Sequence, residues 1–404
     1  MASSIQELRA AQAAGLVIGT VVRPYIIPDH WPRKEIDEFI TDAPVCNLFL
    51  LALERLQQMD DNDPWSYFGI STIHGRPFTA WNGITQATAI RTAQFPAWDP
   101  ALFANGNIPN EEDIDSRLWN RSTQREGKKD AGYCSHGSVL FPSWHRPYVT
   151  MMEQALCLKM HEIAQEYAVR EGRSTYIEAA YRFRMPYFDP LMARVLIEHR
   201  KPHHWEWKCG APAVLSACRV YVHKPGWGVL WDWIDNPLYQ YKFPTVSHLD
   251  HTPKYAVSDP RLEFYKLWAP NGYLPRAPRP YPSNVIPPNL RTVRTPSEHG
   301  YSNHSRMADS FDIQVRPQGV SLYNVLSQER PYVEFATSTF RSDKRLGEHR
   351  TGMITGREGF NSIEGFHDAI HTWAGKQSPD GVVTGHMLKL EWAAFDPMFW
   401  LHHW

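Results

Sequence analysis

The sequence predicts a mainly α-helical chain interrupted by long irregular loops, and three observations point there. Several segments combine helical apolar spacing with recognisable start signals. The stretches between them are crowded with proline, glycine, asparagine and tryptophan and carry no helix-long period. Histidines recur where the helices begin, end or expose one face, as in "GYCSHGSVLFPSWHRPYVTMMEQAL" and "IEGFHDAIHTWAG".

Taken in order, "AAQAAGLVIGTVV" is a short apolar run after Arg9. It lacks the positive start of a secretory signal and the roughly 20 apolar residues of a membrane span, so it reads as a strand or helix packed onto the fold. The cytoplasm is therefore favoured, with secretion as the alternative. "PVCNLFLLALERLQQM" repeats apolar residues at helical spacing and stops at "DDNDP". Asp63 is placed to cap a second helix with Pro64 in its first position, ending at His74 and Gly75. Roughly sixty residues rich in Asn, Asp, Pro and Gly then lead to His136, a surface excursion.

His136 and His145 are nine apart, and nine steps of about 100° put them on opposite sides of a helix. One must sit on a loop. Ser143 as N-cap and Pro147 in the first turn place His145 at a helix start and His136 on the loop before it. From about 200 to 330 no helical period is visible before "GVSLYNVLSQ". The next helix runs from an Asn361 cap, with Glu364 three residues on as in a capping box, to Gly375. Asp396 and Pro397 start a last one, "PMFWLHHW". No repeat and no linker divides residues 1–404, read as a single domain.

Composition narrows the function. With 43% hydrophobic residues the chain can bury a large core, and a formal net charge of -1 offers neither a basic face for nucleic acid nor a membrane-binding surface. Five cysteines, an odd number in a long chain, do not make a disulfide scaffold, although Cys209 and Cys218 are near enough in sequence to pair. Asn120 and Asn303 sit in glycosylation triplets. The 19 histidines stand out. His367 and His371, four apart, project from one helix face and can share a metal. Of the adjacent pair His402 and His403, about 100° apart on a helix, only one can join them, and spacing does not say which. His74, His136 and His145 form a second set. Two all-imidazole triads suit a borderline or soft metal such as copper, with zinc also possible, rather than calcium or magnesium.

These residues carry a resemblance. "HGSVLFPSWHRPYVTMME" has the H-x4-F-P-x-W-H-R form of the first copper site of tyrosinases, and "FDPMFWLHH" the D-P-x-F-W-x-x-H form of the second. The chain resembles the fungal tyrosinase and polyphenol oxidase family of type-3 copper proteins over nearly its whole length. The resemblance implies an antiparallel four-helix bundle housing a dinuclear copper centre. His74, His136 and His145 would hold one copper, His367, His371 and His403 the other, with His402 pointing elsewhere. It implies a thioether from Cys134 to His136, Phe399 stacked on a ligand imidazole, Leu390 over the entrance, and Glu364 helping to hold a water. Dioxygen would be the co-substrate, and small phenols and o-diphenols would become o-quinones. Asp368 replaces an asparagine frequent in hydroxylating members, so catechol oxidation is expected to exceed monophenol hydroxylation. A hemocyanin-like oxygen carrier shares the same histidines. The family motif continues after the last ligand with Asp-Arg, a helix and strands, and "MPYFDPL" replaces P-Y-W-D-W. The sequence is therefore expected to be a shortened product in which His403 has lost its anchor, and a remnant without an active site is the third reading.

Overall fold

In the computed structural model, residues 4–21, 31–74, 81, 134, 136, 139–198, 205–226, 230–243, 291–297, 301–337, 362–376, 378–379, 385–388 and 390–404 are described. Their regular structure is mainly helical. The helices are α1 (Ile5–Ala13), α2 (Ile36–Phe39), α3 (Ala43–Gln58), α4 (Tyr67–Ser71), α5 (Phe141–Glu166), α6 (Arg173–Arg182), α7 (His304–Gln314), α8 (Gly319–Ser327), α9 (Tyr332–Ala336), α10 (Ile363–Ala374), α11 (Leu390–Ala393) and α12 (Pro397–His402). Two antiparallel hairpins, β1 (Ala193–Glu198) with β2 (Trp205–Cys209) and β3 (Arg219–Lys224) with β4 (Leu230–Asp235), occupy the region where no helical period is visible.

The core is built where α3, α5 and α6 pack along one another. Leu48, Phe49, Leu56, Met152, Leu156 and Ile163 are fully or almost fully buried between them. Phe49 and Phe183 stack at 6.0 Å, with Phe39 edge-on to Phe49 at 5.3 Å. Burying a large apolar side chain contributes about 1.5–3 kcal/mol, which makes α5 the natural spine of the fold. The N-terminal run resolves into α1 followed by extended chain. The Gln154 side chain holds that chain, accepting from the Ile18 and Gly19 N–H groups at 2.7 and 3.1 Å and donating to the Leu16 carbonyl at 2.9 Å.

Several expected boundaries move. The second helix starts not at Asp63 but at Ser66, whose hydroxyl accepts from Gly69 N at 2.9 Å. Asp63 caps only the preceding turn, accepting from Trp65 N at 2.8 Å. Helix α5 begins at Phe141, two residues before the expected Ser143 cap, with Pro142 in its first turn. Pro147 consequently lies inside the helix, where it withholds one backbone donor. The cap of α10 is Ser362, accepting from Gly365 N at 3.0 Å, while Asn361 lies outside the described residues. Glu364 is buried and accepts from Thr337 Oγ1 at 2.8 Å, and with Ser362 as the cap the third helical position is Gly365. Asn303 caps α7, its side chain accepting from Arg306 N at 3.0 Å, and Asn120 lies outside the described residues. None of the five cysteines is in a disulfide. Among the described residues no helix is long and apolar enough to cross a membrane.

Candidate metal centre

Six histidines converge in one buried cluster, each delivered by a different local device. His74 ends the turn after α4, and its Nδ1 lies 3.0 Å from the Leu390 carbonyl at the start of α11. His145, on the second turn of α5, points Nδ1 at the Phe141 carbonyl at 2.8 Å. His371 on α10 points Nδ1 at the Met387 carbonyl at 2.8 Å, and His403, just past α12, points Nδ1 at the Phe399 carbonyl at 2.7 Å. A carbonyl can only accept, so each of these Nδ1 atoms carries the proton and each Nε2 presents its lone pair. His367 is held in the same sense by a carboxylate, its Nδ1 being 3.1 Å from Asp368 Oδ1. Carbonyl and carboxylate partners of this kind fix the tautomer and ring orientation of metal-ligating histidines.

The Nε2 atoms of the second set meet. His367 Nε2 is 2.8 Å from His403 Nε2 and 2.9 Å from His371 Nε2. Three lone pairs facing one another at such distances repel unless a positive charge sits among them. A metal at the usual Zn–N or Cu–N distance of about 2 Å would require the rings to part by only a few tenths of an ångström. In the first set, the rings of His74, His136 and His145 lie 5.0–5.6 Å apart between centroids. His74 Nε2, His145 Nε2 and both nitrogens of His136 are buried without a hydrogen-bond partner. Orphaned polar atoms are costly to bury, and in a cluster of this composition they mark ligand positions. The two sets adjoin, with His145 stacked on His403 at 5.3 Å and His136 5.5 Å from His367.

Electrostatics agree with ligand function. Burial first, and the neighbouring imidazoles second, hold His74, His136, His367 and His403 well below the usual histidine range. Burial lowers His145 to about 3 and His371 to about 4. At neutral pH all six are therefore neutral, and a metal ion can enter without displacing imidazolium protons. The donor set is imidazole alone, which fits copper or zinc and not a hard cation.

The other expected residues fall around this cluster. Phe399 stacks on His403 with ring centroids 3.7 Å apart. Cys134 is buried, with its sulfur and a nitrogen each of His74 and His136 all within 4.8 Å of one another. Leu390 is half-buried, and its carbonyl touches the site through His74. Asp368 takes a role that the spacing does not reveal, as the partner of His367. Its carboxyl is pushed up to about 8, by burial first and the Glu364 charge second, although half of its side chain stays open to water, which offsets part of that rise.

Two expectations are corrected. His402 does not point elsewhere: its ring stacks on His367 at 5.0 Å and 16°, with Nε2 buried and unpaired, because the short helix turns both rings toward α10. His403 has not lost its anchor. It is held by the Phe399 carbonyl and ring, and α12 is capped by Asp396, whose Oδ1 accepts from Met398 N at 2.9 Å. The next residue, Trp404, lies under the Arg33 guanidinium at 3.4 Å, and Arg33 is itself fixed by two bonds to buried Glu153 at 2.5 and 3.0 Å. Of the partners that hold the rings, Phe141 and Met387 are the ones that sequence reasoning missed, since both act through backbone carbonyls.

The family model for the common central domain of tyrosinase matches residues 64–404. Tyrosinase of Neurospora crassa is 28% identical over 373 residues, spanning 92% of this chain and 41% of that protein. Polyphenol oxidase 4 of Agaricus bisporus is 26% identical over 372 residues, spanning 92% and 44%. Among solved structures, a copper-bound mutant of active Aspergillus oryzae tyrosinase superposes with a TM-score of 0.60 at 20% identity, over 96% of this chain and 80% of that one. Latent and active mushroom tyrosinase gives 0.58 at 24%, over 92% and 70%. At these identities the superpositions show the fold. The chain spans about half the length of the curated relatives it matches, 41–56% of each. With the family model spanning both histidine sets, the chain belongs to the tyrosinase family.

Proposed function

We propose that this chain is a type-3 copper oxidase that converts phenols and o-diphenols into o-quinones with dioxygen, diphenols being the better substrates. The observation that carries the reading is the convergence of two imidazole triads in which five of six rings have Nδ1 tied to a carbonyl or carboxylate, so that Nε2 faces inward. His74, His136 and His145 would hold one copper and His367, His371 and His403 the other, and the pair of metals supplies dioxygen binding and two-electron redox chemistry when bound. In this reading the segments bearing the histidines act as the helical bundle of a single catalytic unit. The oxygen-carrier alternative is not favoured, since the relatives named above are tyrosinases and polyphenol oxidases.

The protein's own residues position and exclude. The Phe399 ring seals one side of His403, and in this reading Leu390 would lie over the entrance. Glu364 and Asp368 lie four apart on one face of α10, where the Glu364 charge favours the protonated form of Asp368. A monophenol, with an ordinary pKa near 10, must give up its proton before it can bind a metal, and this pair is the base in reach. Because Asp368 is already spent on His367, it serves that proton transfer poorly. Copper-loaded protein is expected to oxidise dopamine rapidly and tyramine slowly or with a lag, and Asp368→Asn to raise the tyramine-to-dopamine ratio. The asparagine Oδ1 can still accept from His367, so copper content should not change. A wild type without catechol turnover, or a ratio untouched by the substitution, would overturn the reading.

We also propose that Cys134 and His136 are joined by a thioether after copper loading in air, since His136 is the one ligand ring with neither nitrogen held by the protein. Its peptide is expected to be about two mass units lighter and refractory to alkylation, because no thiolate remains. An intact, alkylatable Cys134 in copper-loaded protein would refute the bond.

A further inference from the structure

Residues 292–295 form a buried strap that touches every element carrying the second triad. Val293 N donates to His386 Nδ1 at 3.0 Å and the His386 N–H returns to the Val293 carbonyl at 2.9 Å, pinning the turn whose next residue, Met387, holds His371. Arg294, fully buried, donates Nε to Asp396 Oδ1 at 2.7 Å and its terminal nitrogens to the Leu215 and Leu238 carbonyls at 2.9 and 2.7 Å, fixing the cap of α12 and so His403. Thr295 donates its backbone N–H and its Oγ1 hydroxyl to the same acceptor, the Ala374 carbonyl at the end of α10, each at 2.9 Å.

Thr295 does this with φ at 41°, the single non-glycine residue among those described with a positive φ. A β-branched residue in the left-handed region is strained, and such strain persists only where the surroundings impose it. Here it lets one residue aim two donors at one carbonyl. The last carbonyls of a helix lack internal partners, and in α10 the strap supplies them instead of a left-handed glycine after the helix.

We propose that Thr295 is a positioning residue for the second metal. Through Ala374 it sets the end of α10 against the 386–388 turn, and thereby the direction of His371 Nε2, while leaving the first triad alone. This rests on the copper reading of the site, and the test separates the two. Arg294 substitutions risk general unfolding because they strand the buried Asp396, so the informative variants are Thr295→Val, which removes the hydroxyl at constant shape, and Thr295→Ser, which restores it. In metal-free protein, Thr295→Val is expected to speed amide hydrogen exchange roughly tenfold in residues 371–375 and 385–388, the worth of a lost hydrogen bond, with α3 and α5 unchanged. In a Co(II) titration of the same protein, one of two binding events should weaken about 10–100-fold and the other stay put, with Thr295→Ser restoring both readouts. Unchanged exchange, exchange raised across the whole chain, or equal weakening of both metal sites would overturn the positioning role. A wild type that binds fewer than two metals would count against the copper reading, while the exchange arm still decides the role of Thr295.

Discussion

His403→Ala is expected to bind one copper per chain where the unsubstituted protein binds two, and to lose quinone formation, whereas His402→Ala keeps both metals. The adjacent rings differ in what they face. His403 Nε2 is 2.8 Å from His367 Nε2 with its Nδ1 already committed to Phe399, while the His402 ring lies flat against that of His367. Removing an outer partner of a ligand typically costs about 10–100-fold in metal affinity, and removing the ligand itself costs more. His402→Ala should therefore weaken the second site modestly without emptying it. His367→Ala and His371→Ala are expected to behave like His403→Ala. Elemental analysis after dialysis, together with 4-methylcatechol oxidation, checks all four. If His402→Ala loses a copper and His403→Ala keeps both, the assignment within the pair is reversed.

Gly375→Ala should do comparable damage without touching a ligand. A methyl group at this position would lie 1.9 Å from Leu388 N and 2.6 Å from the Met387 carbonyl carbon, both backbone atoms that no rotamer change can move aside. Across the crossing, a methyl group on Gly385 would lie 2.9 Å from the Gly375 carbonyl oxygen, and the Gly385 N–H donates to that oxygen at 2.9 Å. The glycine is needed for close approach and not for its dihedral angle, since φ is -99°. Forcing the two backbones apart displaces the Met387 carbonyl from His371. Overpacking of this kind costs about 1–3 kcal/mol or more, and the second copper should be lost preferentially. A melting temperature and copper content equal to wild type would show that the crossing yields easily.

Much of the site is legible from sequence because the chemistry is local there. The four-residue spacing of His367 and His371, the loop position of His136 and the helix starts near His145 and Pro397 are all fixed by helical geometry, and the two motifs add the ligand sets by resemblance. Capping is less secure. Asp63, Ser143 and Asn361 are each good N-cap residue types, yet the helices start at Ser66, Phe141 and Ser362. At α4 and α10 a neighbouring serine takes the role, and α5 starts after Leu140 with no side-chain cap. Helix α7 escapes notice because "HSRMADSFDIQ" buries only Met307, Ser310 and Phe311, too narrow a stripe to stand out.

By itself the sequence determined the donor chemistry, two sets of histidines on short helical and loop segments, and the family that uses them. Which atom each ring presents was decided only in the folded chain, by local partners for His145, His367 and His403 and by tertiary contacts for His74 and His371. Leu390, Phe141, Met387, Phe399 and Asp368 fix the Nδ1 protons, and four of these five act through backbone carbonyls, which leave no trace in residue type. Tertiary structure also decided that Gly375 admits the 386–388 turn, and that residues 292–295, some seventy residues before α10, hold the second triad together. Contacts between segments so distant in the chain depend on which surfaces meet, and no local period records that.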